Sequence, residues 1–164
     1  MLRRAAAALA LAALLACGAE APEGPPPPAP AFSLPDLEGE PVALADYAGR
    51  IVLVDFWATW CEPCIHQIPV LNAFAREQGP DGVVVLGVSV DAGGREAIES
   101  FRAEHDIDFA YPVLLGSERL ARAYGVPGFP ALAVVDADGG LVGLHLGVVT
   151  PEELAEAVAE AGGR

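Results

Sequence analysis

The sequence contains no lysine. Its nine basic residues are all Arg, they face 23 Asp and Glu, and the formal net charge is −14 over 164 residues. Such a chain has little with which to neutralise a phosphate backbone, so nucleic-acid binding is excluded as its main activity. Cysteine is scarce: the three present are too few for a disulfide-stapled scaffold or a four-thiolate zinc site. The three histidines, His66, His105 and His145, have no metal-ligand spacing, so neither a metal nor another cofactor is expected. The longest apolar run, Ala5 to Ala16, has 12 residues. A membrane-spanning helix needs about 20. There are no internal repeats. What remains is a length suited to one domain with a sizeable core. An odd cysteine count also means that one Cys has a different task from the other two.

The first cysteine sits in an export signal. Arg3 and Arg4 precede the apolar run as a positive n-region precedes an h-region. Leu14-Leu15-Ala16-Cys17 resembles a bacterial lipobox, in which the Cys receives lipid and becomes the mature N-terminus; Leu15 is a less usual residue at its position. The competing readings are a plain signal peptide and a buried helix. Residues 1–16 are therefore read as a signal peptide, 17–31 as lipidated Cys17 with a linker, and 32–164 as the folded domain. The linker carries Pro22, Pro25 to Pro28 and Pro30, a composition that favours extended polyproline II. Its fourteen residues from Gly18 would hold a domain up to about 40 Å from a lipid. It has no Lys or Arg to draw it onto anionic headgroups. Cleavage after Ala16 removes two Arg and no acid, moving the formal charge from −14 to −16. The expected location is outside the cytoplasm, lipid-anchored at the cell membrane or outer membrane, with the domain in the periplasm.

Beyond the linker, strand and helix signals alternate. Phe32 to Leu34 and Glu40 to Leu44 read as short strands around a turn at Asp36 to Gly39. Ile51 to Trp57 is a nearly continuous apolar run, as in a strand buried on both faces. Cys61 to about Gln78 has helical spacing and is stopped by Gly79-Pro80. A strand at Val83 to Val90, a helix at Glu96 to His105, a strand at Tyr111 to Leu115 and a short helix at Glu118 to Tyr124 follow. Ala131 to Asp136 and Leu141 to Leu146 read as a hairpin. Thr150-Pro151-Glu152-Glu153 starts a last helix that runs to about Ala161. Helices between buried strands imply parallel crossovers, and the hairpin adds antiparallel pairing. The expected fold is a single α/β domain with a central mixed sheet flanked by helices.

The remaining cysteines form Cys61-Glu62-Pro63-Cys64, where the first central strand gives way to a helix. At a helix N-terminus, free N–H groups and the dipole stabilise the Cys61 thiolate. Cys64 lies one turn on, close enough to close a small disulfide ring. This arrangement suits thiol–disulfide exchange. A four-residue loop is too short to staple a fold usefully, and zinc would need two further ligands.

The segment Val52-Leu53-Val54-Asp55-Phe56-Trp57-Ala58-Thr59-Trp60-Cys61-Glu62-Pro63-Cys64 resembles the thioredoxin superfamily. More narrowly, it resembles the exported, membrane-anchored TlpA/ResA-like thiol–disulfide oxidoreductases. The likeness covers about Phe32 to Ala161. Pro69 matches the kink of that family's active-site helix, and Tyr124-Gly125-Val126-Pro127-Gly128-Phe129-Pro130 its cis-proline loop. The resemblance implies a thioredoxin-like fold, a cis Pro130 facing the disulfide, and a groove where Trp60, Glu62, Pro63 and Phe129 meet substrate. Trp57 and Trp60 match the family's active-site tryptophans. It also implies a protein disulfide as substrate, among the candidates an apocytochrome c. Electrons would come from a membrane donor of the DsbD/CcdA type. The protein is expected to act as a monomer.

Exchange requires Cys64 to lose its proton, for which a nearby carboxylate can act as base. Asp55, alone in an apolar strand, matches the buried aspartate of thioredoxins, and burial would raise its pKa. TlpA/ResA-like proteins usually carry Glu three residues after the second Cys; here Gln67 stands there. Gln exchanges no proton, so the carboxylate is expected from the strand rather than the helix. Glu62 disfavours the Cys61 thiolate by like charge, which points to a reductase. Two other functions compete. A peroxiredoxin-like peroxidase needs Pro-x-x-x-Thr/Ser-x-x-Cys, but Val54 and Ala58 occupy those positions before Cys61. The other is a non-catalytic metal or heme carrier, but copper-delivering relatives have three residues between their cysteines and this chain has two.

Overall fold

Val52–Trp57 is apolar at every position but Asp55, and all six residues are buried. It forms β3, the middle strand of a five-stranded sheet ordered β5-β4-β3-β6-β7. The computed structural model describes residues 24–163. The expected signal segment and the expected lipid site Cys17 lie outside the described residues. Among the described residues, no helix is long and apolar enough to cross a membrane.

The elements are β1 (Ser33–Pro35), β2 (Pro41–Ala43), β3, α1 (Glu62–Gln78), β4 (Val84–Ser89), α2 (Gly94–His105), β5 (Val113–Leu115), α3 (Glu118–Ala123), β6 (Ala131–Val135), β7 (Leu141–Leu146) and α4 (Pro151–Gly162). Strands β3, β4 and β5 run parallel through the crossovers α1 and α2, while β6 and β7 are antiparallel. Right-handed crossovers in one direction put α1 and α2 on the same face. Trp57 confirms the face for α2, since its ring stacks on Phe101 at 5.5 Å. Gln67 of α1 bonds the backbone of Val149, which brings the start of α4 to that side as well. The next residue inward, Phe56, points the other way and packs on Tyr124 at the end of α3. The result is the expected central mixed sheet flanked by helices, a thioredoxin-like fold.

Several boundaries differ from the sequence reading, each for a local reason. The second short strand stops at Ala43 because the Asp46 carboxylate accepts the Ala43 N–H at 2.8 Å and closes a 3-10 turn over Leu44–Tyr47. Strand β5 starts at Val113 rather than Tyr111; Pro112 has no N–H, and its carbonyl instead accepts from Gly87. Helix α4 takes in Gly162 and ends at Gly163, and it starts after Thr150 as the sequence suggested, closed there by a Thr150–Glu153 capping box.

The proline-rich stretch is not a spacer along its whole length. Leu141 donates to the Pro27 carbonyl, Ala29 donates to Gly139, and the Tyr124 hydroxyl donates to Pro30 at 2.8 Å. The Pro26 ring sits so near Gly140 that a Cβ there would come within 2.4 Å of it. Prolines lack donors but keep strong carbonyl acceptors, so this strap can dock on a hairpin turn. The docked chain therefore begins about five residues before the expected domain boundary at Phe32. Val52 pairs with Val135, so the turn gripped by the strap lies at the end of the sheet opposite Cys61.

Candidate active site

The C-terminal end of β3 feeds Ala58-Thr59-Trp60 into α1. Cys61 occupies the N-cap of α1 and Pro63 falls in its first turn. Cys61 and Cys64 are joined by a disulfide, with Cα atoms 5.3 Å apart. Cys64 is fully buried, whereas Cys61 keeps a 5% exposure, so the outer sulfur is the one a partner can reach. Glu62 and Pro63 are exposed beside it. Pro69 stands inside α1, where its missing N–H removes one helical bond.

The loop ahead of Cys61 is fastened by a residue the sequence reading did not single out. Asp91 accepts the Thr59 N–H at 3.0 Å, the Thr59 hydroxyl at 2.7 Å and the Ser89 hydroxyl at 2.7 Å. An acid just beyond the carboxyl end of a parallel strand is a position where sites form in open sheets, and that was the available signal.

On the other side of the disulfide lies the 125–130 loop. The Phe129–Pro130 peptide is cis. Phe129 is half-buried and meets the Trp60 ring edge-on at 5.8 Å. Trp60 itself is 65% exposed. Trp57, the other tryptophan of the resemblance, takes the core position that the sequence left open to it. It is wholly buried between Phe101 and Phe109, because the period of a strand turns it to the helix-covered face, so it belongs to the core and not to the surface of the site.

Asp55 is buried on that same face, at 1% exposure, and neither carboxylate oxygen has a hydrogen-bond partner. Desolvation pushes its pKa up to about 7. Gln67 is also buried; its Oε1 accepts the Val149 N–H at 2.8 Å, so it ties α1 to the chain entering α4. His66 and His105 are exposed. Among the described residues, no group of three or more His, Cys, Asp or Glu could hold a metal.

A redox-capable Cys pair at the mouth of a helix, in this five-stranded fold, defines a thioredoxin-like thiol–disulfide oxidoreductase. Residues 27–143 match the model of the AhpC/TSA family, and the chain belongs to that family, as a TlpA/ResA-like member of the thioredoxin superfamily. It is 32% identical over 128 residues to the thiol-disulfide oxidoreductase ResA of Bacillus thuringiensis subsp. konkukian, covering 78% of this chain and 73% of ResA. Among solved structures it is similar to a thiol:disulfide interchange protein DsbE from Chlorobium tepidum. The TM-score is 0.74 at 30% identity, covering 84% of this chain and 97% of that one. It is also similar to the exposed lipoprotein thioredoxin Etrx1 of Streptococcus pneumoniae. There the TM-score is 0.70 at 31% identity, covering 80% and 99% of the two chains.

Proposed function

We propose that this protein is an exported, lipid-anchored reductase of protein disulfides, tethered through Cys17 and working as a monomer outside the cytoplasm. The observation that carries the chemistry is the Cys61–Cys64 disulfide at the N-terminus of α1, with the unpartnered Asp55 carboxyl on the adjoining strand. In the dithiol form, the Cys61 thiolate attacks a substrate disulfide and expels one substrate thiolate, which takes up a proton. A mixed disulfide links Cys61 to the substrate. Cys64 then passes its proton to Asp55 and attacks the Cys61 sulfur. The second substrate thiolate leaves, and two electrons have moved from the protein to the substrate. A group that titrates near neutral pH suits this proton transfer.

Trp60, Phe129 and Pro130 supply the surface against which the substrate segment lies, next to the exposed edge of Cys61, with Glu62 and Pro63 at its rim. Electrons return from a membrane donor of the DsbD/CcdA type, and an apocytochrome c is one candidate substrate. The lipoprotein named among the similar structures supports the anchored reading. So does the Leu14-Leu15-Ala16-Cys17 sequence.

The test is a trap. Cys64→Ser leaves Cys61 able to attack but removes the group that resolves the mixed disulfide. Expressed in the native host, this variant should accumulate covalent adducts that collapse on treatment with reductant, and mass spectrometry of the adducts names the substrates. Adducts absent from Cys64→Ser, with purified wild type failing to reduce insulin disulfides, would overturn the reading.

A further inference from the structure

Five buried side-chain atoms lack a hydrogen-bond partner among the described residues, and their chemistry is complementary. Two are the oxygens of Asp55, which can only accept when ionised. The others are the Trp57 indole N–H, the Gln67 amide nitrogen and the Tyr111 hydroxyl, all able to donate. Buried polar groups left alone are costly, so unpaired donors and an unpaired acceptor within one core call for a shared function.

Two of the donors converge beside Asp55. Gly87 of β4 is the direct neighbour of Asp55 in the sheet. A Cβ on Gly87 would stand 2.9 Å from Cε2 of Tyr111 and 3.3 Å from the indole nitrogen of Trp57. The bare glycine is what allows a phenol and an indole to reach this point. The charge of Asp55 is felt at Tyr111, whose pKa is raised well above its ordinary value by burial first and then by that carboxylate. Tyr111 therefore stays protonated, and a donor, throughout neutral pH.

The surrounding elements offer Asp55 little else. Leu132 of β6 is its partner across the sheet, and the residues that α1, α2 and α4 bury are apolar or neutral, among them Cys64, Gln67, Phe101 and Leu154. Tyr111 is the buried titratable group beside Asp55, and Cys64 becomes one only once the disulfide opens; His105 stacks on Phe101 but is exposed.

We propose that Tyr111 is a positioning residue for Asp55: its hydroxyl, seconded by the Trp57 indole N–H, steadies the ionised carboxylate and so sets the pH at which Asp55 accepts the Cys64 proton. The link is made by a small side-chain movement or an enclosed water, both ordinary for buried polar groups. The proposal rests on the role given to Asp55 above. Its proton balance is simple: Cys64 loses one proton, Asp55 gains it, and Tyr111 keeps its own. Gly87 matters because it leaves the space in which the two rings approach the carboxylate.

The decisive measurement is a carboxyl-carbon NMR titration of Asp55 in the oxidised protein, which needs no turnover. Removing a donor to the charged form raises an acid's pKa. In Tyr111→Phe the Asp55 midpoint should move up by about half a pH unit or more. The corresponding limb of the pH–rate profile should move the same way, and in an Asp55→Asn background Tyr111→Phe should move no limb. Gly87→Ala, which keeps the hydroxyl but forces the Tyr111 ring away, should shift the midpoint in the same direction and serves if Tyr111→Phe does not fold. An unmoved Asp55 midpoint in an active enzyme overturns the Tyr111 proposal alone. A shifted midpoint in a protein that reduces no disulfide supports the coupling and overturns the functional reading.

Discussion

At the scale of single residues, Asp55 sets function against stability. An aspartate in the unfolded chain ionises near pH 4, whereas burial holds the native carboxyl protonated up to about 7. Between those values the native state binds more protons than the unfolded state, so stability falls as pH rises, and it levels off above 7. The full effect is roughly 4 kcal/mol at most. Asp55→Asn should remove this slope: its melting temperature at pH 8 should exceed that of the wild type, while turnover drops by about a hundredfold. Gln67→Glu keeps an acceptor for the Val149 N–H and should change turnover far less. Thermal melts over pH 4–8, alongside insulin reduction, check both; a wild-type melting temperature as flat with pH as that of Asp55→Asn would sink the argument. The sequence made the cysteines and Asp55 legible, because a Cys-x-x-Cys and a lone acid in an apolar strand stand out against their neighbours. Tyr111 was not legible. It lies in the loop after α2, and nothing local says that its ring will end beside Gly87.

At the scale of elements, the periodicities that named β3, β4, α1 and the terminal hairpin were strong because burial on one or both faces dictates them. Ends were less legible, since they depend on single hydrogen bonds: Asp46 onto Ala43, or the donor missing at Pro112. The same is true of the clamp joining β3 to β4. Asp91 holds Thr59 by both its N–H and its hydroxyl, and these bonds fix the loop that presents Cys61. Asp91→Ala should cost about 2 kcal/mol, in line with losing charge-assisted bonds at a half-buried site. Amide hydrogen exchange at Thr59, Trp60 and Cys61 should quicken, while exchange in the centre of β3 follows only the global loss. If the loop amides exchange no faster than in the wild type, Asp91 is not what holds them.

At the scale of the whole molecule, the thioredoxin-like architecture was legible from the alternation of elements, but the edge of the folded unit was not. Proline-rich composition reads as spacer, and composition cannot reveal that Pro26 to Pro30 find a hairpin turn to lie against. A chain beginning at Phe32 loses the bonds from Ala29, Leu141 and Tyr124 and uncovers the Gly140 turn. It should melt about 5 °C below a chain beginning at Gly24. Equal melting temperatures would mean the strap adds nothing to the fold.

The strap also gives the molecule a handle and decides where that handle sits. It meets the domain at the pole farthest from Cys61. A copy anchored at Cys17, as proposed, is thus moored by its stern, with its reactive sulfur facing away from the surface. Substrates in the surrounding space meet that sulfur head-on. The proposed donor, embedded in that surface, would be reached only when the domain capsizes. The eight sequence positions from Gly18 to Pro25, about 25 Å if fully extended, would in that arrangement set how far it can roll. Lengthening this stretch should therefore favour recharging over outward reach, which makes the mooring line a control on which half of the redox cycle runs faster.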